Sequence, residues 1–166
     1  MKKIITALAV VALATTGMAA DTEWTGAIDN DWSTAGNWSN GVPGAADTAY
    51  VDSGTPSITS GPNQISYLFL GSSSGTTTAD ISADLTVTAN TSMGTGASDS
   101  TINQTAGNVV FGTTGASRMW LGKASGQTTY NLSGGMLSSA GDWDDWADFA
   151  IPHRSLFFRQ SWVACL

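Results

Sequence analysis

From Leu68 to Ser138 the chain moves in short apolar and polar steps. Tyr130 and Leu132 stand two apart, as do Val109 and Phe111, and Gly-Ser or Gly-Thr pairs separate the runs. Thr, Val, Ile and aromatic residues dominate, while the helix formers Glu and Lys are almost absent. A period of two punctuated by glycine predicts short strands joined by tight turns, not helices.

The pattern also repeats. LFLGSSSGTTTADISADLT (68–86) aligns without a gap on MWLGKASGQTTYNLSGGML (119–137) at an offset of 51. Leu70, Gly71, Ser74 and Gly75 meet Leu121, Gly122, Ser125 and Gly126, and Thr77, Thr78 and Ser82 meet Thr128, Thr129 and Ser133. A third copy lies between them, with TINQTAGNV (101–109) opposite TYNLSGGML (129–137). The element recurs at Ala79, Ile102 and Tyr130, spacings of 23 and 28 residues.

Repeats of this length indicate a stacked array, because one such unit cannot close a core by itself. Wound about a common axis, the units pair in parallel at about 4.8 Å and place their aliphatics in one inward stack. The expected fold is all-β: a short right-handed parallel β-solenoid of about three coils with a Trp-rich N-terminal cap. The alternative is a β-sandwich of short Thr-rich strands, which has no reason to contain an ungapped internal match. Asn103 and Asn131 fall at matching positions, where stacked amides pair along the axis. Gln104 falls where Ile81 and Leu132 sit, so either one coil holds an inward amide or the middle unit is offset.

Ahead of the repeats, Met1, Lys2 and Lys3 form a positive region, Ile4 to Leu13 is an almost unbroken apolar run, and Thr15 to Ala20 ends in small residues. These three regions together read as a bacterial-type export signal. The apolar run is shorter than the roughly 20 residues that cross a bilayer. Cleavage near Ala19 or Ala20 removes two of six basic residues and leaves all 13 acidic ones. No apolar segment of spanning length follows, so the mature chain is expected to have no membrane span. The expected organisation is a signal peptide (1–20), a Trp/Asp-rich cap (21–54), solenoid repeats (55–140) and an atypical tail (141–166). The tail holds the only His and the only Cys, and its abrupt change of composition suggests a truncated or frame-shifted end.

Composition narrows the chemistry. One cysteine rules out an intramolecular disulfide framework and a multi-cysteine metal site. A formal charge of −7 over 166 residues repels phosphate backbones, so nucleic acid is not an expected partner.

The lead-in WTGAIDNDWSTAGNWSNGVPGAADTAYV (24–51), followed by Gly/Thr-rich coils containing LGKASGQTTYNLSGGML, resembles secreted parallel β-helix proteins with autotransporter-type β-strand repeats. Large exported bacterial proteins that end in a PEP-CTERM sorting tail share this look. The resemblance spans residues 24–138. It implies an extracellular or cell-surface solenoid serving as passenger, adhesin or scaffold, usually without catalysis. Such proteins continue for many more coils and finish in a membrane barrel or an anchor, which is not the pattern of the tail here.

Candidate chemistry is sparse. Trp24, Trp32 and Trp38 stand among Asp29, Asn30, Asp31, Asn37 and Asn40, the mixture of ring faces and polar neighbours that binds sugars. The competing reading makes the same rings a cover for the open end of the first coil. Asp29, Asp31, Asp47 and Asp52 offer oxygens to calcium, but no EF-hand or Gly/Asp nonapeptide repeat is present, so they read as turn carboxylates and no metal or cofactor is expected. Gly71 to Gly75 satisfies Gly-x-Ser-x-Gly, yet a nucleophile elbow needs a strand-to-helix turn and a histidine base, and His153 lies in the tail. A polysaccharide lyase would have only Arg118 and Lys123 beside Trp120 to work with. Four Asn-x-Ser/Thr strings, at Asn37, Asn90, Asn103 and Asn131, read as the outcome of composition.

The sequence therefore points to an exported, secreted or cell-surface solenoid without catalytic residues, acting as scaffold or adhesin. Its expected partners are a surface glycan or another envelope component, with end-to-end self-association through exposed strand edges. The alternatives are a carbohydrate-binding module built on Trp24, Trp32 and Trp38, and a polysaccharide lyase or hydrolase.

Overall fold

The computed structural model describes residues 18–73, 75–122, 127–140, 142–145 and 162–165. Most of the signal-like segment (1–17), Ser74, Lys123, Ser125, Gly126 and His153 lie outside the described residues.

After β1 (Asp21–Glu23) the strands fall in threes. A first turn comprises β2 (Thr48–Val51), β3 (Ser57–Ile58) and β4 (Asn63–Ile65); a second, β5 (Tyr67–Leu70), β6 (Thr76–Ile81) and β7 (Leu85–Val87). A third comprises β8 (Thr91–Met93), β9 (Asp99–Gln104) and β10 (Asn108–Phe111); a fourth, β11 (Arg118–Leu121), β12 (Thr128–Leu132) and β13 (Met136–Ser139). Two more strands follow, β14 (Asp142–Asp145) and β15 (Trp162–Cys165). Corresponding strands of successive turns stack into three sheets: sheet A, β1-β2-β5-β8-β11-β14; sheet B, β3-β6-β9-β12; and sheet C, β4-β7-β10-β13-β15. The pairings are parallel throughout, except that β15 runs antiparallel to β13. This is a parallel β-solenoid, and the sandwich alternative is excluded because the matched segments share sheets.

The register is the one the repeat implies. Ala79, Ile102 and Tyr130 are directly paired across β6, β9 and β12. Leu68 and Met119, the first residues of the two segments matched at an offset of 51, both pair with Thr91 and so lie on either side of one intervening strand in sheet A. The coil count exceeds the expectation: β2, β3 and β4 form a complete turn whose residues carry no repeat signature, and β1 and β2 already belong to sheet A within residues 21–54.

Alternation along each strand sends one set of side chains inward. Val51, Leu70, Met93 and Leu121 make one buried rank in sheet A; Leu85, Val109 and Leu137 make one in sheet C; Ala79, Ile102 and Tyr130 make one in sheet B. Stacked at the parallel-strand spacing, these ranks form a single core along the axis.

Corners follow a repeated chemistry. Gly71, Gly94 and Gly122 end successive strands of sheet A with φ of 66°, 63° and 63°, a left-handed bend that an L side chain rarely adopts. Ser98 and Ser100 occupy the space a Cβ on Gly71 would need, and their hydroxyls donate to the carbonyls of Gly71 at 2.8 Å and Leu70 at 3.0 Å. Other corners are tied to the next turn by acceptors: Asp52 Oδ1 takes the Ser72 N–H at 2.6 Å, Asp84 Oδ1 that of Asn108 at 2.7 Å, and Asp99 Oδ1 that of Gln127 at 2.8 Å. Asn90 Oδ1 does the same for Arg118 at 2.8 Å. Corner N–H groups have no ladder partner, and these side chains supply one.

Gln104 resolves the ambiguity of register. It pairs with Ile81 on one side and Leu132 on the other, and it is fully buried. Its Nε2 donates to the carbonyls of Gly107 at 2.9 Å and Met136 at 3.0 Å, and its Oε1 accepts from the Tyr130 hydroxyl at 2.6 Å. An inward amide is held because each of its polar atoms has a partner. On the outside of the same sheet, Asn131 Nδ2 donates to Asn103 Oδ1 at 2.9 Å, and Asn103 Nδ2 to Asp80 Oδ1 at 2.8 Å. The expected amide stack is present, and it ends on a carboxylate.

Gln104→Leu fits the Ile81–Leu132 rank in shape but strands the Tyr130 hydroxyl. Urea unfolding is expected to show a loss of about 2 kcal/mol, with most of it regained in the Gln104→Leu/Tyr130→Phe double variant. A single variant as stable as the parent would contradict the network.

Candidate functional site

The three tryptophans nominated for sugar binding lie in the lead-in above the first turn and are packed on one another. Trp24 and Trp38 meet edge to face at 5.1 Å, as do Trp32 and Trp38 at 4.6 Å. Trp24, Trp32 and Trp38 are only 6%, 2% and 4% exposed. The Trp38 indole N–H donates to the Trp32 carbonyl at 2.8 Å, and Trp24 sits beside Gly26 and Gly54, whose missing Cβ atoms leave room for the indole. The buried Trp32 indole N–H has no partner among the described residues, while its backbone N–H donates to the Ser57 carbonyl at 3.0 Å. These rings are part of the core cluster. A sugar stacking on them would first have to displace that packing, so the geometry is that of an end cover.

The polar residues of the lead-in build the cap's frame. Asn37 is fully buried and saturated: its Oδ1 accepts from the N–H of Ile28 at 2.9 Å and of Asp29 at 3.1 Å, and its Nδ2 donates to Asp29 Oδ1 at 2.6 Å and to the Asp31 carbonyl at 2.9 Å. Asp29 also accepts from the Asp31 N–H at 2.9 Å and, through Oδ2, from the Thr34 hydroxyl at 3.3 Å. The Asn37 amide, then the Asp31 N–H and the Thr34 hydroxyl, hold the Asp29 carboxyl below its ordinary 3.8 against a smaller opposing effect of desolvation.

The carboxylates considered for calcium are engaged in the same way. Asp31 Oδ1 accepts from the Ser33 N–H and hydroxyl, and Asp47 accepts from the N–H of Ala20 at 2.9 Å and Gly44 at 2.8 Å. Asp52 is bonded to Ser72 and Ser73. Among the described residues no three acidic, His or Cys side chains gather as a metal site would require. In the Gly-x-Ser-x-Gly string, Ser72 donates its hydroxyl to Asp52 and the string turns a corner between two strands, without the helix an elbow requires. The Asn37, Asn103 and Asn131 amides are committed to internal hydrogen bonds, and Asn90 Oδ1 to the Arg118 N–H.

What the fold does gather is a rank of aromatic side chains on the outer face of sheet A. In β2, β5 and β11 the inward pairs Ala49/Val51, Leu68/Leu70 and Met119/Leu121 are buried, so Tyr50, Phe69 and Trp120 between them face outward. Pairing aligns Tyr50 with Phe69, Phe69 with Ser92, and Ser92 with Trp120. All three aromatics are half-buried. Tyr50 and Phe69 are stacked, with planes 10° apart and centroids at 4.9 Å. That distance lies within the range of stacked aromatic pairs, and both side chains keep part of their surface exposed. Ser92 is buried although its strand position points outward. A second outward rank, two residues away, contains Thr48, exposed Tyr67, Asn90 and exposed Arg118.

Sequence reasoning reached Arg118 and Trp120 but not Tyr50, Tyr67 or Phe69. One signal was available: the internal match at an offset of 51 sets Phe69 on Trp120, each at an outward position between two inward aliphatics. Tyr50 carries no such signal, because its turn lacks the repeat. Burial raises the Tyr50 hydroxyl above its ordinary 10.0, and the negative fields of Asp21, Asp52 and Glu23 add to it. Acidic positions flank the two ranks at both ends: Glu23 pairs with Tyr50 and Asp21 with Thr48, and in β14 Asp144 pairs with Trp120 and Asp142 with Arg118.

Because Asp29 is depressed in the folded state, its contribution to stability is present above pH 3.8 and is lost as pH falls through the folded value. The Asp29→Asn variant is expected to lose that component, giving a shallower decline of unfolding free energy between pH 5 and about pH 3 in urea titrations. Identical slopes for parent and variant would count against the assignment. Comparison with known proteins finds no matching family model, no matching curated protein and no matching solved structure.

Proposed function

We propose that the chain is an exported length of β-solenoid, displayed outside the cell as a non-catalytic scaffold or adhesive passenger. The observation that best supports this is the uninterrupted axial stacking from β1 to β14 in sheet A, with sheets B and C following in step. Such a rod keeps its outward side chains at fixed intervals, since shifting one coil breaks ladder bonds on three faces. Three of its corners are bonded to the neighbouring coil through Asp52, Asp84 and Asp99, which opposes local opening. Among the described residues no helix is long and apolar enough to cross a membrane.

Export finds support where the lead-in meets the first turn. Ala20 donates its N–H to Asp47 Oδ1 at 2.9 Å, and its carbonyl accepts from the Thr48 N–H at 2.9 Å. Gly17 and Ala19 place small residues where a leader peptidase reads them. Cleavage before Ala20 would put the new α-ammonium on the Asp47 carboxylate and turn a hydrogen bond into an ion pair.

N-terminal sequencing of protein recovered from the medium or the cell surface is expected to begin Ala20-Asp21-Thr22, and antibodies are expected to label intact cells. A chain that retains Met1 inside the cell overturns the proposal. Asp47→Asn in the mature chain is expected to cost about 1 kcal/mol in urea unfolding, because one oxygen acceptor becomes a donor.

A further inference from the structure

We infer that the outer face of sheet A binds an uncharged polysaccharide, with Tyr50, Phe69 and Trp120 stacking on its sugars along the solenoid axis. The inference deepens the proposed display outside the cell, and rests on it, by giving that display a ligand class.

Three features of the face select this occupant. The first is its mixture of groups. A pyranose has an apolar C–H face and a rim of hydroxyls, and it needs an aromatic surface with hydrogen-bonding neighbours. Half-buried Tyr50, Phe69 and Trp120 provide the rings; Thr48, Tyr67 and Arg118 in the adjacent rank provide the polar heads. Tyr67 is 37% exposed, among the most exposed large side chains of the coils.

The second feature is pitch. Rungs recur about every 4.8 Å, comparable to the advance of one sugar along an extended, ribbon-like glycan, and the neighbouring rank lies roughly 6.6 Å to the side. A chain laid along the axis meets the rings of Tyr50 and Phe69 on adjacent rungs and, past Ser92, that of Trp120 two rungs on, without bending. Ser92, the small residue between Phe69 and Trp120, keeps the rank free of a bulky aliphatic that would lift the chain off the rings.

The third is charge. Asp21, Glu23 and Asp52 surround the Tyr50 end closely enough for their fields to act on its hydroxyl, and the protein as a whole carries −7. Polyuronates and other polyanions are repelled from such a surface. A neutral polymer is not, and the carboxylates can accept from its hydroxyls.

The test is affinity electrophoresis of the mature chain through gels containing hydroxyethylcellulose, xyloglucan or glucomannan, with polygalacturonate as the anionic arm. Retardation is expected in at least one neutral gel and not in polygalacturonate. Phe69→Thr and Trp120→Thr keep a strand-forming residue on the outward side, so unchanged far-UV circular dichroism is expected, with about tenfold weaker retardation for each. Phe69→Tyr should keep full retardation. No retardation in any neutral gel, stronger retardation in polygalacturonate, or Thr variants that bind like the parent would overturn the site. Thr variants that convert a dimer to a monomer in size-exclusion chromatography without changing retardation would assign the face to a second copy and overturn it as well. Surface labelling without neutral-gel binding removes the glycan face and leaves the display; binding by a chain found only inside cells removes the display and leaves the face.

Discussion

Everything in this protein depends on each coil satisfying the backbone of the coils above and below it. A parallel strand has no hairpin partner next to it in sequence, so its N–H and C=O groups find partners only one full turn away. That requirement fixes the register of three sheets at once. A one-residue slip in any of them would send the buried rank outward and the polar rank inward. It also accounts for the tolerance of turn length. Leu68 to Thr91 spans 23 residues and Thr91 to Met119 spans 28, yet both end in register because the extra residues are accommodated at corners while the paired strands keep their alignment.

The same constraint explains why, among the described residues, the acids are spread over corners and not gathered into a site. Asp47, Asp52, Asp84 and Asp99 each accept a backbone N–H that the ladders leave over. Asp29 and Asp31 do so within the lead-in. A carboxylate is the shortest strong acceptor that a corner can carry, and a bond to a charged acceptor is worth more than one to a neutral group. Buried serine hydroxyls serve the carbonyl side of the same corners. Charge here is a consequence of how a coil turns.

Function is then a matter of which faces the core leaves unused. Inward ranks are filled, and the tryptophans of the lead-in are buried against one another in the core cluster. Sheet B presents an amide stack whose donors and acceptors are largely occupied by one another. Sheet A presents aromatics that the core does not need, aligned by the pairing of strands far apart in sequence. The glycan proposal follows from that surplus of apolar surface on an otherwise polar exterior.

Much of this could be read from the amino acids alone. The recurrence at Ala79, Ile102 and Tyr130 determined the stacking register of sheet B, because alternation and spacing are local properties that repetition makes visible. The amide stack of Asn103 and Asn131 followed from the same alignment. The turn formed by β2, β3 and β4 was hidden, since a coil is defined by its neighbours and needs no resemblance to them. Whether Gln104 faced inward, that Trp24, Trp32 and Trp38 are buried against one another, and that Tyr50 joins Phe69 in one rank were settled only by the tertiary structure. Each depends on burial or on pairing across a whole turn, and neither quantity belongs to a residue until the coil above it is in place.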